Sequence, residues 1–238
     1  MANISTANGT LQIINGEKLS KETLKKVIEM INKQLGSSSV AYGTFLSDLQ
    51  VVDDKSLNTF IANDYMTSFE GLGKWSFITN TTYMFEWITT DVDKKTHQPL
   101  ENHNYDSLLK ELQEKDVSFL FDYSELELGA KPNDLTFIQS EVRPYFDEES
   151  NQFVTDVLDN DSHDEDLTAT LLVENGFIEN YITLSDLEKY ANSKLEDDSF
   201  IKEHLAEEDA KNILNDDRDQ FKNGKYVLIP DIELYIKE

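Results

Sequence analysis

The residues of this chain whose types and spacing could do chemistry are its carboxylates. Asp159, Asp161, Asp164, Glu165 and Asp166 crowd into a short stretch, Asp159-Asn160-Asp161-Ser162-His163-Asp164-Glu165-Asp166, of the density that calcium loops require. The calcium pattern does not close. With Asp159 as loop position 1, Asp164 stands at position 6, where the turn needs glycine, and Thr170 stands at position 12, where a bidentate Glu is needed. A solvated loop with at most adventitious cation binding is the plainer reading. The 47 acids would also allow the paired carboxylates of a glycosidase, but that abundance leaves no spacing that selects a pair.

Other chemistries are thinner still. Cysteine is absent, which excludes disulfides, thiolate nucleophiles and every Cys-containing zinc or iron–sulfur site. His97 and His103 have no metal-motif spacing, His163 lies within the acidic stretch, and His204 faces acids on a helix, where an ion pair is its natural role. No G-x-S-x-G, G-x-G-x-x-G or Walker loop occurs. The nearest approach to a nuclease E-x-K, Asp209-Ala210-Lys211, sits in a helical pattern rather than on a strand. We therefore expect no catalytic residue, no metal and no cofactor.

What remains is charge and its distribution. Residues 1–100 hold 9 Lys and Arg against 11 Asp and Glu, whereas residues 101–238 hold 12 against 36. From Asp147 to Asp219 there are 23 acids and 5 bases. Such a field attracts basic surfaces and repels nucleic acid and anionic lipid, so direct nucleic-acid binding is disfavoured and a basic protein partner is expected. The expected contact residues are Asp159, Asp161, Asp164, Glu165, Asp166, Glu196, Asp197, Asp198, Glu203, Glu207, Glu208, Asp209, Asp216, Asp217 and Asp219. If residues 196–219 form one helix, their ten acids spread over about 36 Å. That is one carboxylate per roughly 3.6 Å, close to the charge spacing along one DNA strand. The competing explanation is a helix made water-compatible by a charged face.

The opening MANISTANGT lacks the basic and apolar regions of a signal peptide, and no apolar run is long enough to span a membrane, so a cytoplasmic protein is expected. Asn3-Ile4-Ser5 and Asn80-Thr81-Thr82 then match the glycosylation pattern by chance. Among the bases, 19 Lys against 2 Arg argue against adaptation to high salt and point to AT-rich coding of bacterial or phage type.

These residues must be carried by a fold, and the patterns predict α+β: mainly antiparallel hairpins covered by helices, in one composite domain or two lobes. A strand is expected over 9–15. Ser20 then caps a helix whose Leu24, Val27, Ile28, Ile31 and Leu35 share a face, ended by Gly36 to Ser39. A strand over 40–46 and a helix over 54–70 follow, the latter striped by Leu57, Phe60, Ile61, Tyr65 and Phe69 and broken at Gly71 and Gly73. Trp75, Phe77 and Thr79 should pair through a three-residue loop with Tyr83, Phe85 and Trp87, as a buried aromatic hairpin.

The polar stretch 93–104 marks the best boundary, giving a near-neutral lobe 1–95 and an acidic lobe 96–238. The second lobe should hold a helix over 105–115 and strands over 117–128, with a bulge near Ser124, and over 135–143, joined by a turn at 129–133. An acidic loop with one helical turn follows over 147–166, then a hairpin over 167–184 closed by Asn175-Gly176. A helix opened by the Ser185 to Glu188 capping box, a helix over 199–221 and a strand over 226–236 complete it.

The function that this pattern favours is a non-enzymatic acidic inhibitor or decoy. It would occupy a basic, nucleic-acid-binding surface in the manner of phage or mobile-element proteins that blunt restriction or CRISPR systems. The alternative is an immunity-type or regulatory binder of a basic toxin or nuclease. Third comes an enzyme with an unrecognised carboxylate site.

Overall fold

The computed structural model describes residues 4–35, 46–49, 51, 53–74, 76–82, 88, 90–92, 99–101, 103–128, 135–147, 149, 152–162, 167–192, 200–219, 221, 226–230 and 234–237. Contacts divide the chain into two units, 1–130 with 135–162, and 131–134 with 163–238. The fold is α+β, as its hydrophobic patterns predict.

The first unit runs β1 (Ile4–Ile14), α1 (Lys21–Leu35), β2 (Leu46–Leu49), α2 (Asp54–Ala62), β3 (Met66–Lys74) and α3 (Ile78–Thr82). It continues through β4 (Thr90–Val92), β5 (Pro99–Glu101), α4 (Asp106–Glu114), β6 (Ser118–Leu128), β7 (Leu135–Asp147) and β8 (Gln152–Ser162). Six strands form one antiparallel sheet in the order β2-β3-β1-β6-β7-β8, and β4 pairs with β5 apart from it. The division therefore falls elsewhere than at the polar stretch 93–104. Strand β1 pairs with β6 from Ser5↔Glu127 to Ile14↔Ser118, so the sheet runs straight across the expected boundary.

Helix α1 begins where its cap predicts, with Ser20 Oγ accepting the Thr23 N–H at 3.1 Å. It buries Leu24, Val27, Ile28 and Ile31 in one cluster with Leu57 and Phe60 of α2, Leu109 and Leu112 of α4, and Phe69, Phe119, Phe121 and Tyr123 of the sheet. Alternation along β1 and β6 sends Leu11, Ile13, Phe119, Phe121 and Tyr123 to this inner face. The register of β6 with β1 and β7 is continuous, so there is no bulge near Ser124. The phase shift in its sequence has another origin: Glu125 takes the inner-face position, while Leu126 is buried facing the other way beside Phe137.

Three further expectations fail in this unit. The helix over 54–70 stops at Ala62, because Asp64 and Tyr65 adopt left-handed φ of 56° and 58° and redirect the chain into β3. The aromatic hairpin does not form, since residues 78–82, which include its expected loop of residues 80–82, are helical; Trp75 and Trp87 themselves lie outside the described residues. The acidic loop over 147–166 is largely β8, an eleven-residue strand.

The second unit holds α5 (Ala169–Glu174), α6 (Leu184–Ala191), α7 (Phe200–His204), α8 (Glu207–Asp216) and a hairpin of β9 (Tyr226–Ile229) with β10 (Leu234–Lys237) where one strand is expected. Its core joins Ile182, Leu187, Ile201, Ala210, Phe221 and Leu228. Asn175-Gly176 closes no hairpin. Gly176, at φ 72°, ends α5, with its N–H on Val173 O at 3.0 Å and the Phe177 N–H on Leu172 O at 2.9 Å, the paired bonds of a Schellman stop. Helix α6 starts one residue before the expected box, capped by Thr183. The single helix over 199–221 is two, parted where Ala206 is extended at φ −74° and ψ 149°. The turn over 129–133 and the stop at Gly36 to Ser39 lie outside the described residues.

Candidate functional site

Phe121, Tyr123 and Val142 point into the core of the first unit, so their neighbours Asp122 and Glu141 point out. Pairing sets Asp122 of β6 opposite Glu141 of β7, and Glu141 opposite Asp159 of β8. Three carboxylates thus stand in one row across three neighbouring strands, about 4.8 Å apart per strand. Directly opposed like charges are destabilising, by some tenths of a kcal/mol each. None of the three is ion-paired with a described residue. The nearby Arg143 donates from Nε to Ser118 Oγ at 3.2 Å and lies over the Tyr145 ring. In the adjoining row Gln139 faces Asp161, and beyond Arg143 stands Asp156.

The bulge in β8 keeps these acids on one face. Register passes from Val142↔Val157 to Glu141↔Asp159, leaving Leu158 as the extra residue. Without it Asp156 and Asp159 would lie on opposite faces; with it Asp156, Asp159 and Asp161 all point outward.

In the second unit Glu207, Glu208 and Asp209 form the first turn of α8, where the positive end of the helix dipole favours carboxylates. Lys211 neutralises Glu207 at 2.5 Å, while Glu208, Asp209, Asp216 and Asp219 are exposed and make no salt bridge to a described residue. Asp217 caps α8 and accepts the Tyr235 hydroxyl at 3.0 Å; burial first, then this bond, raises the phenol's pKa above its ordinary range. Glu203 is exposed on α7, and His204 packs its ring on Phe200 and meets Phe200 O at 3.1 Å.

The expected contact residues are therefore split between the units. Asp159 and Asp161 belong to the first, and Glu203 to Asp219 to the second. Asp164, Glu165, Asp166, Glu196, Asp197 and Asp198 lie outside the described residues. The evenly spaced 24-residue ridge does not exist, because α7 and α8 are separate. Asp122 and Glu141 escape the sequence reading. Their alternation with buried residues marks them as outward-facing, but only strand pairing brings them beside Asp159.

One carboxylate goes the other way. Glu125, 0% exposed, accepts the Phe77 N–H and the Ser76 hydroxyl, the latter at 3.2 Å. Burial pushes its pKa above the ordinary range. Ser5 and the donors at Phe77, Ser76 and Ile78 pull it back, though Ser5 Oγ makes no hydrogen bond of standard geometry. Glu125 thereby pins the start of α3 to the sheet, where Phe77 stacks on Phe69 at 5.6 Å and meets Tyr123 edge-on at 5.3 Å.

A cleft of about 550 Å³ beside α2 is lined by Thr10, Ser56, Thr59, Asn63, Thr67 and Ser68 among others. Among its described lining residues the one carboxylate, Asp53, caps α2 by accepting the Ser56 N–H at 2.7 Å. Among the described residues no group of three His, Asp or Glu is placed to hold a metal ion, and no helix is long and apolar enough to cross a membrane. No protein-family model matches the chain, and comparison with the curated proteins and with the solved structures gives no match.

Proposed function

We propose that this chain is a non-enzymatic inhibitor or decoy that binds a basic, nucleic-acid-binding surface on a partner protein. The observation that carries the reading is the outward row Asp122–Glu141–Asp159. Three sequence-distant acids stand directly opposite one another with no ion pair to a described residue, an arrangement that costs stability and serves no packing purpose. The exposed carboxylates of α8 give the second unit an acidic surface of its own. The duplex-like spacing of one long helix no longer supports the reading, which rests on charge and on the sheet face.

The test is capture from a bacterial lysate on the immobilised chain, with stepwise salt elution and mass spectrometry. Attraction between exposed charges is screened within about 8 Å at physiological salt, so partners should leave at moderate ionic strength and be displaced by short duplex DNA. Retention that ignores salt and duplex DNA alike would rule the reading out.

A further inference from the structure

We infer that β8 accepts a further strand, an extended basic segment of the partner. The inference rests on the acidic-binder reading for the partner's charge and adds the mode of contact. Strand β8 is the edge of the six-stranded sheet and is eleven residues long. Residues 156–161 are all exposed, and Val157 and Leu158, at 48% and 51%, are adjacent large apolar side chains in water. Natural edges are blunted by lysine, proline or bulges. This one has neither lysine nor proline, and its bulge serves to align Asp156, Asp159 and Asp161 on one face.

Those carboxylates choose the occupant. A second copy of the same edge would set aspartates against aspartates, which is unfavourable. A strand with Lys or Arg at alternate positions would pair its cations with the three aspartates and turn its other side chains toward Val157, while the backbone completes the ladder. The carboxylate face thus guards the edge against self-association and leaves it open to a basic strand.

The full-length, isotope-labelled chain is titrated at low salt with an alternating Lys–Val peptide of about ten residues. The first control is the same peptide N-methylated at consecutive central residues, so that neither edge can donate. The second is its Glu–Val counterpart. The parent peptide should bind and shift the backbone amides of residues 152–162; the methylated one should bind at least about tenfold more weakly; the Glu–Val peptide should not bind. Val157→Lys, at an exposed position, should weaken the parent by about tenfold with the fold intact. Equal binding of the methylated peptide, or salt-sensitive binding that leaves the β8 amides unmoved, overturns strand addition while leaving the acidic-binder reading standing. Failure of every basic peptide to bind overturns both.

Discussion

Glu125 and Phe77 are joined by a hydrogen bond from the backbone N–H of one to the buried carboxylate of the other, across 48 residues of sequence. The bond fastens α3 to the sheet at a point where glycine leaves room for a ring. Removing the carboxylate with Glu125→Ala should leave buried donors unpaired and cost about 1–3 kcal/mol in denaturant unfolding.

The same carboxyl group sets a pH dependence. Its folded pKa is raised above the ordinary value near 4.5, chiefly by burial, so the folded state holds this proton more tightly than the unfolded chain does. The resulting stabilisation is complete below the unfolded pKa and is lost as pH rises through the folded one. Relative to Glu125→Gln, the natural chain should therefore lose stability over a window that opens near pH 4.5 and extends upward, measured by paired denaturation curves. A stability difference that stays flat over that window would contradict the assignment.

Gly71 faces Phe77 so closely that a Cβ there would overlap the ring. Gly71→Ala should cost about 1–3 kcal/mol by overpacking. Shortening the ring with Phe77→Leu should relieve part of that penalty, giving a coupling of about 0.5–3 kcal/mol in a double-mutant cycle. Strict additivity would mean that Phe77 does not sit against this glycine in solution.

Gly176 ends α5 in the left-handed region at φ 72°. An L-residue there is strained, so Gly176→Ala should destabilise the second unit by about 1–2 kcal/mol, read as a lower denaturation midpoint.

Neutralising the row with Asp122→Asn, Glu141→Gln and Asp159→Asn should raise the melting temperature slightly, because like-charge opposition is removed. It should also weaken retention of the basic partner. Neutralising Glu207, Glu208, Asp209, Asp216, Asp217 and Asp219 together measures the share of the second unit. If only the latter set weakens binding, the sheet face is not the contact.

Local signals reached the elements whose physics is local. Ser20 and the helical spacing of Leu24, Val27, Ile28 and Ile31 announce α1, and the alternation of Phe119, Phe121 and Tyr123 announces β6. Asn175-Gly176 misleads because the left-handed glycine that suits a hairpin equally suits a helix stop. Phe77 alternates as a strand residue would, yet starts a helix because its ring fits over Gly71 and its N–H finds Glu125, both distant in sequence. Acids mask β8 because an edge strand needs few apolar residues. The row Asp122–Glu141–Asp159 exists only through the pairing of three strands, which no single segment encodes.

Strand order also dictates how the first unit can assemble. β2, β3 and β1 lie side by side on one flank, while β6, β7 and β8 form a continuous meander on the other. The two halves meet along one seam, where Ser5 finds Glu127 and Ile14 finds Ser118. Closing it joins the ends of a long intervening chain, so seam formation should limit the refolding rate, slowly for a chain of this size. On the ribosome, β1 must wait with one edge open until β6 has emerged, a window in which that strand is available to wrong partners.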